Sequence, residues 1–191
     1  KNTGNEHCDF RGVNTFDPEK CNYGLAGEVD NINRQSFYFV GSSHAGTLSG
    51  MIGSLENKES TNLYSLYVGA TFFPPLNSNF FPKGYRESPK KYNQNQTKIL
   101  RFITKNAKNG DVVVISNHLE LFGTPASSIP ANHNEIVRQY FDNLEKFTSE
   151  MRSLDINIVL IGPTPFFVDL TQHMVNTLNC QSQWFKIPDP N

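Results

Sequence analysis

Phe37-Tyr38-Phe39-Val40-Gly41-Ser42-Ser43-His44-Ala45 decides the reading of this chain. Four aromatic or β-branched residues in a row favour a buried strand, Gly41 permits a sharp turn, and apolar Ala45, Leu48, Met51, Ile52 and Leu55 then recur at helical spacing. Ser43 is therefore expected at a strand-to-helix junction. In open α/β sheets ligands gather at the carboxyl ends of strands, and backbone N–H groups at such a junction can stabilise a developing oxyanion. Two readings of the serines stand side by side. Ser43 is a nucleophile for acyl transfer, or Ser42 or Ser43 is the N-cap of a helix.

Outward from that junction the chain alternates strand and helix. Further strands are expected at residues 63–70, 112–115 and 156–161, and helices at 95–107 and 134–154. The run Val112-Val113-Val114-Ile115 has no polar interruption, which fits a central strand covered on both faces. In the last helix Ile136, Val137, Tyr140, Phe141, Leu144, Phe147 and Met151 are expected to form the buried stripe. This alternation predicts one α/β domain, a three-layer α/β/α sandwich with a mainly parallel sheet.

Composition narrows the function classes. At 191 residues the chain can bury one sizeable core, and its formal net charge of −1 gives no electrostatic reason to expect nucleic acid as a partner. The locally basic stretch 83–91, with Lys83, Arg86, Lys90 and Lys91 against Glu87, reads as a solvated surface loop. No run approaches the roughly 20 apolar residues of a membrane helix. The chain starts at Lys1 and ends in Pro188-Asp189-Pro190-Asn191, so it is expected to be part of something longer.

Residues 1–34 form a loop-rich leader. Within it Cys8 and Cys21 either stay as thiols or pair; pairing would tie down a segment with few apolar residues, for about 3 kcal/mol of loop-closure entropy, and would imply an oxidising compartment. His7, Cys8 and Cys21 do not make a four-ligand zinc set, and no cofactor is expected. Asn95-Gln96-Thr97 fits a glycosylation sequon, relevant only to a eukaryotic secretory setting.

The polar residues that follow the strands converge on one chemistry. If Ser43 attacks an acyl carbon, the N–H of Ser43, the N–H of Gly69 and the side-chain amide of Asn117 are candidate oxyanion donors. Gly69 can equally be a strand-end turn, and Asn117 can equally bond its own loop.

Taken together, these residues resemble a known family. Gly41-Ser42-Ser43-His44-Ala45 looks like the Gly-Asp-Ser-His-Ala signature of the SGNH hydrolase superfamily, in the form that follows the membrane-embedded acyltransferase-3 domain of bacterial O-acyltransferases. Phe73-Pro74-Pro75-Leu76 is similar to that subfamily's Cys-Pro-Pro-Leu segment; residues 113–119, residues 159–165, and Cys180 with Trp184-Phe185 resemble its later blocks in order. The resemblance spans about residues 35–185, the SGNH domain proper, and implies a flavodoxin-like fold with an acyl-enzyme at Ser43. It further implies transfer of acetyl or another short acyl group from the membrane domain to a glycan hydroxyl, on the periplasmic or cell-surface side of the membrane.

Two departures bear on catalysis. Ser42 stands where the signature has Asp, and the family's C-terminal Asp-x-x-His, source of the base and its orienting acid, occurs nowhere here; Asp169 and His173 are four apart. The base and acid are therefore expected past Asn191, with the 35–191 domain C-terminally incomplete and poorly active as it stands. His118 is the best-placed substitute base, while His44, His133 and His173 read as structural or exposed. A free-standing esterase and a non-catalytic glycan-binding module are the competing classes. The aromatic loop 73–85 either lines the acceptor path or packs against the sheet.

Overall fold

The computed structural model describes residues 8–10, 16–24, 34–48, 51–52, 61–69, 71–76, 89–117 and 133–162. The elements run β1 (Gln35–Gly41), α1 (Ser43–Thr47), β2 (Thr61–Tyr67), α2 (Pro89–Asn106), β3 (Val112–Ser116), α3 (His133–Ser153) and β4 (Asn157–Ile161). All strand pairs are parallel, in the order β2-β1-β3-β4. This is the expected α/β architecture. Because β1 leads to a neighbour on one side and β3 to a neighbour on the other, the winding reverses between β1 and β3.

The register sets the geometry that matters most. Gly41 pairs with Tyr67 on one side and with Ser116 on the other, and Ser116 pairs with Ile161. Four strands thus end in a single row.

Alternation along the strands divides the core. Tyr38 and Val40 of β1, with Tyr64, Leu66, Val113 and Ile115, pack with Ile99 and Ile103 of α2 and with Tyr140, Phe147 and Met151 of α3. On the opposite face Phe39, Leu63 and Val114 meet Ile52 and the partly buried Leu48. The sheet is therefore the middle of three layers.

Several boundaries differ from the sequence reading, each for a local reason. Helix α2 starts at Pro89, six residues before the expected 95, because proline at the first helical position needs no N–H partner. Lys90 and Lys91, read as loop, are therefore helical; residues 83–88 lie outside the described residues. Helix α1 spans Ser43–Thr47, and Met51 and Ile52, within the helical spacing expected over 45–55, are helical too, Met51 half exposed and Ile52 buried with its N–H donating to Leu48 O; residues 49–50 and 53–55 lie outside the described residues. Phe141, expected in the core, is 54% exposed. It sits one step off the stripe Ile136, Tyr140, Leu144, Phe147 and Met151, and rests edge-on against Tyr140 instead.

The leader belongs to the same core. Cys8 and Cys21 are joined by a disulfide, with Cα atoms 5.5 Å apart, and both are buried beside Phe10. Its backbone runs along the outer edge of β2: Phe10 N–H donates to Tyr67 O, Tyr67 N–H to Cys8 O, and Tyr23 N–H to Leu63 O, while Asn22 Oδ1 accepts from Leu63 N–H. An edge that would otherwise present unpaired N–H and C=O groups is satisfied by the chain's own leader. Asn95, of the sequon, is buried and donates its amide to Phe10 O at 2.6 Å, so it is no glycan acceptor in the folded protein.

Candidate active site

The residues that follow the row of strand ends lie at one edge of the sheet, beside the point where the winding reverses. The turn after β1 is built by Gly41. Its φ is +143°, and a Cβ there would overlap the carbonyl oxygen of Ser116 on β3, so the close approach of β1 to β3 needs a residue with no side chain. Ser42 N–H then donates to that same Ser116 carbonyl at 3.2 Å.

The two serines divide the two readings between them. Ser42 is buried and is the N-cap, its Oγ accepting from His44 N–H at 3.4 Å. Ser43 is the first helical residue and is exposed, and its hydroxyl has no hydrogen-bond partner among the described residues. The capping duty falls on Ser42, which leaves Ser43 presented at the strand ends. Helix α1 is held close to the sheet by Gly46, where a Cβ would stand 2.7 Å from the Tyr67 ring.

Both other oxyanion candidates lie at the expected edge with their donors already engaged. Gly69 N–H donates to the Asp9 carboxylate at 3.3 Å. Asn117 is buried, and its Nδ2 donates to Phe73 O at 2.7 Å and to Tyr140 Oη at 3.0 Å while its Oδ1 accepts from Phe73 N–H at 3.0 Å. With two hydrogens and two partners, that amide has nothing left to donate. Burial pushes the Tyr140 phenol above its ordinary range, and the Asn117 hydrogen bond offsets this in part.

The segment after β2 is clamped from three sides. Thr71 Oγ1 donates to Val68 O and accepts from Gln96 Nε2, Phe73 is spanned by Asn117, and Pro75 O accepts from Asn143 Nδ2 at 2.8 Å. Phe72, Phe73 and Leu76 are buried; the Phe73 ring meets Phe147 edge-on and Phe72 meets Tyr140. The described part of the aromatic loop packs into the core rather than lining an acceptor path, and residues 77–85 lie outside the described residues. Next to this segment an open, apolar groove of about 180 Å³ runs between β3, β4 and α3, lined by Ile115, Asn117, Tyr140, Phe141 and Leu160.

No general base is placed against Ser43 by the described residues. His118, Asp169 and His173 lie outside them, as do Cys180 and Trp184; His133 opens α3, and His44 is half-buried in α1. Among the described residues no cluster of His, Cys, Asp or Glu could hold a metal ion, and no helix is long and apolar enough to cross a membrane.

Sequence reasoning missed the polar residues that hold this edge in place: Asp9, Thr71, Gln96 and Tyr140. Gln96 had a visible signal, since it interrupts the helical stripe Tyr92, Ile99 and Ile103 with an amide. Asp9 had none, because its reach to Gly69 crosses 60 positions of sequence.

A family model described as "SGNH domain (fused to AT3 domains)" matches residues 7–188. No curated protein and no solved structure shows a significant match.

Proposed function

This chain belongs to the SGNH domain family, in the form fused to AT3 domains, whose chemistry is of the esterase or acyltransferase type, and on that footing we propose that Ser43 is the nucleophile of an acyl transfer to a glycan hydroxyl. The observation that carries the reading is the division of labour between Ser42, buried as the cap, and Ser43, exposed beside the β1–β3 winding reversal with a hydroxyl that bonds no described residue.

The chemistry divides into two displacements. Ser43 Oγ attacks the acyl carbonyl carbon and gives its proton to a histidine base, and the oxyanion that forms takes the N–H of Ser43 itself. The donor's leaving oxygen departs with a proton, and the acyl group remains on Oγ as an ester. A glycan hydroxyl then attacks that ester, loses its proton to the same base, and restores the serine. Gly69 and Asn117 act in this scheme by holding the edge rigid, since their donors are engaged by Asp9, Phe73 and Tyr140.

The fused AT3 domain is the proposed acyl source, and an acetyl or similarly short group on an exported polysaccharide is the proposed cargo. The Cys8–Cys21 disulfide supports an extracytoplasmic site of action, because such bonds persist in oxidising compartments. The test is hydrolysis of an aryl acetate by the full-length protein and by its Ser43→Ala variant. The expected result is loss of turnover in the variant to the uncatalysed rate; equal hydrolysis by the two proteins would remove Ser43 from the mechanism and leave the binding-module reading.

A further inference from the structure

Gln96 is fully buried in α2, at a position where the helix otherwise shows the sheet an apolar stripe. Its Nε2 donates to Gly41 O at 3.0 Å and to Thr71 Oγ1 at 2.9 Å. The orientation of the amide follows from its partners. Gly41 O is a carbonyl, and the Thr71 hydroxyl already gives its hydrogen to Val68 O at 2.8 Å, so both partners accept and the NH₂ must face them. The other end of the amide, Oε1, is buried without a partner among the described residues. A leucine or methionine at this position would bury more apolar surface and leave no orphaned oxygen.

What the amide holds is the peptide that leads into the two serines. Gly41 O receives both Gln96 Nε2 and Val68 N–H, while the N–H of the same peptide, that of Ser42, goes to Ser116 O. A peptide unit is planar, so fixing its oxygen and its hydrogen fixes the plane. From that plane the chain turns once, at Ser42, before Ser43.

We infer that Gln96 is a positioning residue for Ser43, clamping the Gly41–Ser42 peptide from the helix layer and tying it to the Thr71 segment through the same NH₂ group. Its role in chemistry rests on the reading of Ser43 as nucleophile; its role in geometry does not. Small displacements of a reacting oxygen lower the rate of attack steeply, so the clamp acts on the acylation step and leaves substrate affinity alone.

The experiment compares the intact protein with Gln96→Met, which keeps length and apolar packing but donates nothing, and with Gln96→Glu. Amide hydrogen exchange at Ser42 is measured alongside the rate of serine modification by a fluorophosphonate. In Gln96→Met, exchange at Ser42 is expected to rise about tenfold while the Ile99 and Ile103 amides hold steady, the size set by losing one buried hydrogen bond. Fluorophosphonate modification slows by about tenfold at saturating probe, with its half-saturating concentration unchanged. In Gln96→Glu the carboxylate faces two acceptors at neutral pH, and modification measured relative to wild type at the same pH, so that protonation of the base cancels, recovers as the pH is lowered and the carboxyl regains a hydrogen to donate.

Exchange at Ser42 within twofold of wild type overturns the inference, and so does a uniform rise across α2 and the sheet, which would make Gln96 a contributor to global stability only. Ser43→Ala is run in parallel: modification that persists there sinks the nucleophile, while the exchange data still decide the clamp.

Discussion

Asn117 spans the backbone of Phe73, donating to its carbonyl at 2.7 Å and accepting from its N–H at 3.0 Å. One side chain at the end of β3 thus supplies, for a segment outside any strand, the pair of bonds that a neighbouring strand would give. Substituting Asn117→Ala leaves both Phe73 groups unpaired in the interior. The expected cost is about 3 kcal/mol, measured as a shift in urea midpoint at constant slope. An amide serving only as a spare oxyanion donor would behave differently, lowering turnover with the midpoint unmoved.

Gly41 and Gly110 separate two penalties that are often confounded. Both have positive φ, +143° and +86°, but a Cβ on Gly41 overlaps Ser116 O whereas around Gly110 there is nothing within 4 Å. Gly110→Ala is expected to cost about 1–2 kcal/mol from backbone conformation alone. Gly41→Ala adds a clash with an immovable carbonyl, and a loss above about 4 kcal/mol, or failure to fold, is expected. Equal losses in the two variants, read by denaturant unfolding, would mean that β1 and β3 separate to admit the methyl.

The Cys8–Cys21 bond closes a loop across a separation of 13 residues. Opening it by the double change to serine is expected to lower stability by about 3 kcal/mol through the entropy returned to the unfolded chain. Mass spectrometry without reductant checks the bond itself, and hydrogen exchange at Leu63 and Tyr67, whose N–H groups the leader accepts, checks where the loss is felt.

Alkaline pH should unfold the domain through its buried phenols. Burial pushes Tyr38 up to about 12, and it raises Tyr140 as well as Tyr64, where nearby Glu19 adds to the effect. Below about pH 9 these tyrosines are neutral in both states and stability does not depend on them. Above it the unfolded chain releases protons that the folded chain keeps, so stability falls as pH rises toward the folded values, by at most about 1.4 kcal/mol per pH unit for each tyrosine. Denaturant midpoints between pH 8 and 11.5 should be flat and then decline, and Tyr140→Phe should shallow the decline.

The sheet, its order of elements and the serine-bearing junction were legible because each rests on short-range pattern. An uninterrupted β-branched run marks β3, and a strand that stops at Gly41-Ser42-Ser43 marks the junction whatever the rest of the chain does. What escaped depends on partners far apart in sequence. Asn117 reads as an oxyanion donor or a bond to its own loop until β3 is set beside Phe73, 44 positions away, and Gly69 reads as a donor or a strand-end turn until Asp9 arrives from the leader. Phe141 was misplaced for a different reason: periodicity locates a stripe, but an extra apolar residue at its margin is assigned inside or outside only by what the next layer covers.

The leader also gives the sheet a direction. With Cys8, Phe10 and Tyr23 hydrogen-bonded along β2, that flank can accept no further strand, whereas β4 has a neighbour only on its β3 side among the described residues and carries the exposed Val159 and Leu160. Any addition to this sheet, from a later part of the same polypeptide or from another molecule, has one available address. Such an addition would arrive beside the Tyr140–Phe141 groove, so growth of the fold would proceed from the side where that groove lies.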